Sequence, residues 1–396
     1  MLPDMSPKNP AQLPLGLCAV RLFTLVSIIG FTVLCISCGT ERNDLDEGSG
    51  ATILEPLATQ RSERVAGNGS RRFKVLIKRG GFSAAQVAAL KAFAVKTNIV
   101  ILNNKDWLEE ANREIGDAHG LATDGLSREL VLAGKKLEWI HFYAGGVDQI
   151  LFPELVDSEI TLTNAKIIKG YQVADHALAL LLGLTRRLNE TIVFQRKGEW
   201  SRRYFRKAEN QPIELHGRTA LIIGLGGIGT QIAQRAYAFG MRVIAVDPKD
   251  IPFMHFVSAV YKPDQLRRVI PRADVVFMAA PLTSETKRML AAREFTMMKR
   301  GAYFIAVSRG ETYDVEALLE AMKERRLAGA GLDVTDPEPL PEGHSLWKLN
   351  NVLLTPHMAG ESEKVWDRQF GLLKENLERL ADGLPLLNVV DKQKGY

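Results

Sequence analysis

Residues 221–247 read LIIGLGGIGTQIAQRAYAFGMRVIAVD, and their order decides the fold. The apolar run 221–223 suits a buried strand. Gly224, Gly226 and Gly229 follow as G-x-G-x-x-G. A helix-period segment, 230–239, ends at Gly240, and a second apolar run, 242–246, delivers Asp247. Each part has a physical task. Gly224 permits a tight turn out of the strand, Gly226 lets backbone approach a pyrophosphate, and Gly229 lets the helix pack close to the strand. The unpaired N–H groups and positive dipole end of the helix favour phosphates. A carboxylate at Asp247 accepts hydrogen bonds from ribose hydroxyls and repels a 2′-phosphate, which favours NAD (NADH when reduced) over NADP. A lone G-x-G-x-x-G is weak evidence. Strand, helix, strand and terminal Asp together supply its context. The competing reading is a glycine-rich βα turn in some other doubly wound protein.

A chain of 396 residues holds about two domains. Its composition, 46% hydrophobic and 24% charged, is ordinary for a globular protein. A net charge of +5 does not by itself point to nucleic acid. Cys18, Cys35 and Cys38 all precede residue 40, and the remaining body has none. That body therefore has no disulfide framework, thiolate zinc site or cysteine nucleophile. The seven histidines include no H-x-x-x-H pair, so no metal site is expected. Residues 196–207 (RKGEWSRRYFRK) are basic with interleaved aromatics. Stacking platforms for nucleic acid lie on a sheet or groove rather than on one connection. The segment reads instead as a loop joining the domains, with Trp200 anchored and the cations solvated or at a dimer seam.

Residues 1–72 stand apart from the fold. Arg21 precedes the apolar run 22–36 (LFTLVSIIGFTVLCI), and Ser37-Cys38-Gly39 follows. This is an export-signal pattern. It resembles a bacterial lipoprotein signal with Cys38 as the acylated residue, although Cys35 sits where an aliphatic residue is usual. The stretch 22–38 is thus a candidate for membrane attachment. Residues 40–70 are polar and read as a linker. Lys8 and Arg21 lie before the apolar run, while Glu41, Asp44, Asp46 and Glu47 outnumber Arg42 after it. That bias would turn the body outward, whereas an NAD-dependent body is expected in the cytoplasm. A mis-assigned start, a cytosol-facing anchor and a cofactor retained through export all reconcile the two.

From residue 73 onward apolar strands alternate with helical segments. Strands are expected at 74–77, 99–102, 137–142 and 161–163, with a helix at 84–95. Alternation of this kind argues for parallel sheets covered by helices. The segment 172–187 (QVADHALALLLGLTRR) is apolar nearly all round and is expected to be a helix buried between domains. Beyond Asp247, strands are expected at 273–279, 302–306, 328–334 and 352–354, with helices at 315–324 and about 361–382. Ligands in such folds sit beyond the carboxyl ends of the strands. Arg309, Glu338 and His357 each closely follow an expected strand.

These motifs resemble the D-isomer-specific 2-hydroxyacid dehydrogenase family, from about Lys74 onward. They comprise GLGGIG with Asp247, APLTSET ending at Thr286, VSRG ending at Gly310, GLDVTDPEPL with Asp333 and Glu338, and LLTPHMAG with His357. LEWIHFYAGGVDQIL and HSLWKLNNVLLTPH are most similar to the glyoxylate/hydroxypyruvate reductase-like branch. The resemblance implies a flavodoxin-like substrate domain, 73–169 plus 361–396, and a Rossmann NAD-binding domain, 170–360. It implies that Arg309 grips the carboxylate and carbonyl oxygen of a 2-oxo acid through its planar fork. His357 would exchange a proton with that oxygen, and Glu338 would hold the imidazole and stabilise its charged form. Ala144, Gly145 and Gly146 would bind the substrate carboxylate. Trp347, Phe142 and Tyr143 are candidates to line the pocket, with core packing as the competing reading for Phe142. Gly227, Ile228, Pro281, Thr286, Ser308 and Asp333 would join the glycines, Asp247 and His357 around the cofactor, with Asp333 orienting the nicotinamide amide. A homodimer is implied as well. The chain departs from the family's pattern at Ala306, where Asn is common, at Asp175, where Glu is usual, and at Gly145, where a small side chain such as Ala is usual.

Two functional classes fit these residues. One is an NAD-dependent oxidoreductase interconverting a small 2-oxo acid of glyoxylate, hydroxypyruvate or pyruvate type with its D-2-hydroxy acid. The other is an NAD(H)-sensing interaction protein with little or no turnover. A membrane-tethered binding protein is a third, weaker class.

Overall fold

The computed structural model describes residues 72–93 and 97–396. The apolar run 22–36, Cys38 and the polar stretch 40–70 lie outside the described residues. Among the described residues no helix is long and apolar enough to cross a membrane.

The first domain alternates strand and helix: β1 (Phe73–Lys78), α1 (Ala84–Ala92), β2 (Thr97–Leu102), α2 (Trp107–Glu114), β3 (Gly120–Thr123), α3 (Arg128–Ala133), β4 (Trp139–Phe142), α4 (Pro153–Val156) and β5 (Thr161–Asn164). Its five strands are parallel in the order β2-β1-β3-β4-β5, the flavodoxin-like winding. The start of α1 is fixed by a capping box, in which Ser83 Oγ accepts from Gln86 N and Gln86 Oε1 accepts from Ser83 N. Alternation along β1 sends Leu76 into the core on one sheet face and Val75 and Ile77 into the core on the other.

Two helices follow, α5 (Gly170–Thr185) and α6 (Leu188–Arg196). The second domain then runs β6 (Thr219–Ile223), α7 (Gly227–Ala238), β7 (Arg242–Val246), β8 (Ala259–Tyr261), α8 (Leu266–Val269), β9 (Val275–Met278), α9 (Ala292–Met297), β10 (Ala302–Ala306), α10 (Val315–Lys323), β11 (Leu327–Leu332) and β12 (Val352–Leu354). Seven parallel strands lie in the order β12-β11-β10-β9-β6-β7-β8. The winding reverses between β6 and β9, so a crevice opens at their carboxyl ends. Ala220 and Ile222 enter the core on one face of this sheet, and Leu221 and Ile223 the core on the other. The last helix, α11 (Val365–Asp382), returns to the first sheet, where Leu373 and Leu377 pack with Val75, Ile77 and Trp139.

Several expectations need correction. Helix α5 does not lie between the domains along its length. Its apolar residues pack on the seven-stranded sheet and α7, and its N-terminal turn alone reaches α11, where Arg368 lies over the Tyr171 ring at 5.1 Å. Helix α7 begins at Gly227, inside the glycine motif, rather than at residue 230. The return helix begins at Val365 rather than 361. Trp200 is not an anchor: it is 94% exposed. The aromatic cluster of that segment is formed by Phe194, Tyr204 and Phe205, whose ring centroids lie 5.0 to 5.9 Å apart.

Candidate active site

The glycine turn is built for an anion. Gly229 is held so close to the end of β6 that a Cβ there would lie 1.9 Å from Gly224 O. A Cβ on Gly226 would meet nothing within 4 Å, so the space above it is open. Helix α7 has no side-chain cap, and its first intrahelical bond is Thr230 N to Gly226 O at 2.9 Å. The N–H groups of Gly227, Ile228 and Gly229 therefore face the crevice. Asp247 follows β7 and is 7% exposed. Its Oδ2 accepts from Leu225 N and its Oδ1 from Lys249 N, each at 2.8 Å. The carboxylate thus braces the glycine turn from beneath while keeping lone pairs for a further donor.

Beyond β10, Ser308 Oγ is buried with no hydrogen-bond partner. A buried hydroxyl without a partner at a crevice is a sign of a missing ligand group. An open glycine cradle, an uncapped helix start and this orphan hydroxyl together fit a dinucleotide. The loop after β9 is less committed. Thr286 Oγ1 donates to Pro281 O at 2.6 Å and accepts from Thr283 N at 2.8 Å, closing the turn on itself.

Arg309, Glu338 and His357 follow β10, β11 and β12, which are neighbours in the sheet. The loops are stitched together. Asp333 N donates to Ala306 O at 2.9 Å, Thr355 N to Leu332 O at 2.9 Å, and His357 N to Asp333 O at 2.8 Å. Glu338 stands between Pro337 and Pro339, each preceded by a cis peptide bond. His357 Nδ1 lies 3.0 and 3.1 Å from the two Glu338 oxygens. A carboxylate there only accepts, so Nδ1 carries the hydrogen and Nε2 points elsewhere. His357 has a left-handed backbone, φ 51°, a costly conformation for a residue with a Cβ. The two bonds of its N–H, to Asp333 O and to Thr355 O at 3.0 Å, hold it there.

Arg309 joins this cluster to the first domain. Its Nε donates to Asp148 Oδ1 at 3.1 Å and its Nη1 to Ser308 O at 3.0 Å. A Cβ on Gly146 would sit 2.0 Å from Arg309 Nη2, so a side chain there would displace the guanidinium from its present position. Among the described residues neither Arg309 Nη2 nor His357 Nε2 has a hydrogen-bond partner, and the N–H groups of Ala144, Gly145 and Gly146 have no backbone acceptor. The loop of Ala144, Gly145 and Gly146 is pinned from behind: Asn164 Nδ2 donates to Gly145 O at 2.6 Å, and Ala165 N to Ala144 O at 3.0 Å.

Four residues expected at the site are placed differently from the rest. The Asp333 carboxylate is 1% exposed and accepts from Thr355 Oγ1, Met358 N and Ala359 N at 2.6, 3.0 and 2.9 Å. It ties down the loop that carries His357, with His176 of α5 completing the network at 2.8 Å from Thr355 Oγ1. Trp347 is half-exposed, and its indole N–H donates to Pro341 O at 3.1 Å. Phe142 and Tyr143 are buried in the first domain's two cores, and the Tyr143 hydroxyl donates to Lys78 O at 2.9 Å. Sequence reasoning gave no role to Asp148, Asn164 or His176. Asp175, the departure in α5, pairs with Arg235 of α7 at 2.6 Å.

A family model described as D-isomer specific 2-hydroxyacid dehydrogenase, NAD binding domain, matches residues 178–359. A glyoxylate reductase of Korarchaeum cryptofilum is 35% identical over 279 residues, spanning 69% of this chain and 82% of the relative. This chain belongs to the D-isomer specific 2-hydroxyacid dehydrogenase family. As such a dehydrogenase it is an NAD(P)-dependent oxidoreductase. A family protein from Aeromonas salmonicida has a solved structure with TM-score 0.69 and 29% identity, covering 82% of this chain and all of that one. An NADPH-dependent glyoxylate/hydroxypyruvate reductase from Sinorhizobium meliloti, solved with NADP and sulfate, shares the fold of this dehydrogenase with TM-score 0.69, 24% identity and coverage of 82% and 100%.

Proposed function

We propose that this dehydrogenase reduces a small 2-oxo acid, of glyoxylate, hydroxypyruvate or pyruvate type, to the D-2-hydroxy acid with NADH. The substrate lobe is 73–169 plus 361–396, and the nucleotide lobe is 170–360. The observation that carries this reading is the pairing of His357 Nδ1 with both oxygens of Glu338, which leaves Nε2 as the free proton-bearing face. Arg309 Nη2 and the N–H groups of Gly145 and Gly146 form a second pole, suited to a carboxylate and its adjacent carbonyl oxygen. The bound cofactor supplies the hydride. His357 donates a proton to the oxygen that becomes a hydroxyl and withdraws it in the reverse direction. Glu338 keeps the ring oriented and offsets its charge while the proton is held. Asp148 holds Arg309 in place through Nε, leaving Nη2 to the substrate. Gly226, Gly227, Ile228 and Gly229 hold the phosphates, Asp247 the ribose, and Ser308 the nicotinamide end. The Asp247 carboxylate disfavours a 2′-phosphate, which supports NADH over NADPH. Helix α6 has no buried residue, and it exposes Leu188, Ile192 and Val193; Trp200, on the loop that follows, is exposed as well. Large apolar side chains exposed on one helix support assembly as a homodimer.

The test is a panel of glyoxylate, hydroxypyruvate, pyruvate and bulkier 2-oxo acids, followed by NADH and NADPH absorbance. Reduction of a small acid with preference for NADH is expected. A panel with no turnover, from protein that still binds NADH, would return the sensing reading.

A further inference from the structure

Residues 391–396 form a polar turn that crosses the crevice, and the roles given above leave it unused. The chain reaches it by running beside β5, where Val389 bridges Thr163 and Val390 N donates to Leu162 O at 2.8 Å. Lys166 Nζ holds Val389 O at 2.7 Å. Lys392 Nζ then donates to Leu155 O, Ser158 O and Ile160 O at 2.9, 2.6 and 2.9 Å. An ammonium satisfied by three carbonyls fixes the segment to the first domain. The turn is closed by Asp391. Its Oδ1 accepts from Gln393 N and Lys394 N, its carbonyl from Gly395 N at 2.8 Å, and its own N–H donates to Tyr396 O at 3.2 Å.

The tip of this turn touches both domains. A Cβ placed on Gly395 would lie 3.6 Å from Leu151 of the first domain and 3.8 Å from Thr283 of the second. The Tyr396 ring lies beneath Lys249 Nζ, 4.4 Å from its centroid. Burial, and then the Asp247 carboxylate, push the Tyr396 phenol above its ordinary range. Lys249 N in turn donates to Asp247 Oδ1 at 2.8 Å, so Tyr396 stands beside the carboxylate that follows β7, with Thr283 of the loop after β9 close to Gly395. A dinucleotide held with its pyrophosphate on α7 and its ribose at Asp247 would bring its adenosine end toward those same two loops.

We propose that residues 391–396 are a strap by which the first domain completes the adenosine end of the cofactor site, with Tyr396 as its aromatic wall. The proposal rests on the dinucleotide assignment made above. A Tyr ring offers a purine or ribose a flat apolar face, and the Lys249 ammonium over the ring holds it in place. Because the strap is anchored on one domain and packs on the other, nucleotide affinity then depends on a residue far along the chain from the glycine motif.

The test uses the full chain and reads NADH binding by fluorescence titration, apart from turnover. Tyr396→Ala is expected to weaken NADH binding roughly fivefold, with Tyr396→Phe staying near the parent. The melting temperature without nucleotide should not move, whereas the rise produced by saturating NADH should shrink. The KM for glyoxylate at saturating NADH should change little. If Tyr396→Ala lowers the melting temperature of the free protein, Tyr396→Leu, which keeps apolar bulk, replaces it with the same expectation. Binding as tight as the parent's overturns the strap, and tighter binding overturns it in favour of a plug over the site. If the parent itself binds neither NADH nor NADPH, the dinucleotide assignment falls and the strap falls with it.

Discussion

The two halves of the active site are built in opposite ways. The glycine turn is local: β6, Gly224, Gly226, Gly229, α7 and Asp247 occur within one short stretch, and what it offers a ligand is uncapped backbone N–H groups. The acid-base pole is assembled from afar. Arg309, Glu338 and His357 follow three different strands, and their partner Asp148 comes from the other domain. A backbone site is specified by the absence of side chains, which a sequence displays directly. A side-chain site is specified by which loops meet, which only the packing of the sheets settles.

Breaking the assembled pole should have the largest effect on chemistry. His357→Gln removes the proposed proton donor and is expected to lower kcat by about 10²- to 10⁴-fold, with NADH binding unchanged in a fluorescence titration. A kcat within a few-fold of the parent would exclude His357 as the acid. Breaking the local half should act on affinity instead. Gly229→Ala places a Cβ 1.9 Å from Gly224 O and forces α7 away from β6. Dinucleotide binding should weaken by about ten- to a hundredfold. Equal losses in nucleotide affinity from both variants would erase the contrast between the halves.

Asp148 sharpens the comparison, because it ties the assembled pole to the first domain. Both partners are partly buried, at 25% and 15% side-chain exposure, so leaving Arg309 without its carboxylate should cost more than at a surface pair. Asp148→Asn is expected to raise the 2-oxo acid KM by roughly tenfold, with the Kd for NADH unmoved. A rise in the NADH Kd with no change in KM would place Asp148 on the wrong side of the division.

The least effect on turnover, and a distinct one on stability, comes from His141. The ring is fully buried between Thr163 Oγ1 at 2.9 Å and Gln369 Nε2 at 2.8 Å. Burial lowers its pKa from 6.5 to about 3. Between those values the unfolded chain binds a proton that the folded chain refuses. Stability from this residue is therefore full above pH 6.5 and is lost as pH falls toward 3, by about 1.4 kcal/mol per pH unit. Urea midpoints at pH 7 and pH 5 should differ less for His141→Gln than for the parent, and identical differences would refute the neutral buried ring.

The parts of the fold legible in the sequence are those whose physical cause is local. The alternation of apolar runs with helices was legible, and so were the glycine turn and the three side chains beyond the strand ends. β3 (GLAT) and β8 (AVY) went unseen because four and three residues are too few to show a period of two. Trp200 looked like an anchor because large aromatics are usually buried, yet the rings that pack together are Phe194, Tyr204 and Phe205. Asp333 invited a role against the cofactor, and its buried carboxylate also holds the loop that carries His357, a task that its position in the sequence did not show.

The sequence by itself determined the nucleotide half of this dehydrogenase, because a tight turn, an uncapped helix and a terminal carboxylate are consequences of residue type at close spacing. Only the tertiary structure decided the rest: that Glu338 faces His357 Nδ1, that Asp148 steadies Arg309 from the other domain, and that Tyr396 lies under Lys249. Those pairings join residues 19, 161 and 147 positions apart, and no local propensity acts over such distances. They form because two sheets bury their apolar faces and so bring their loop ends together.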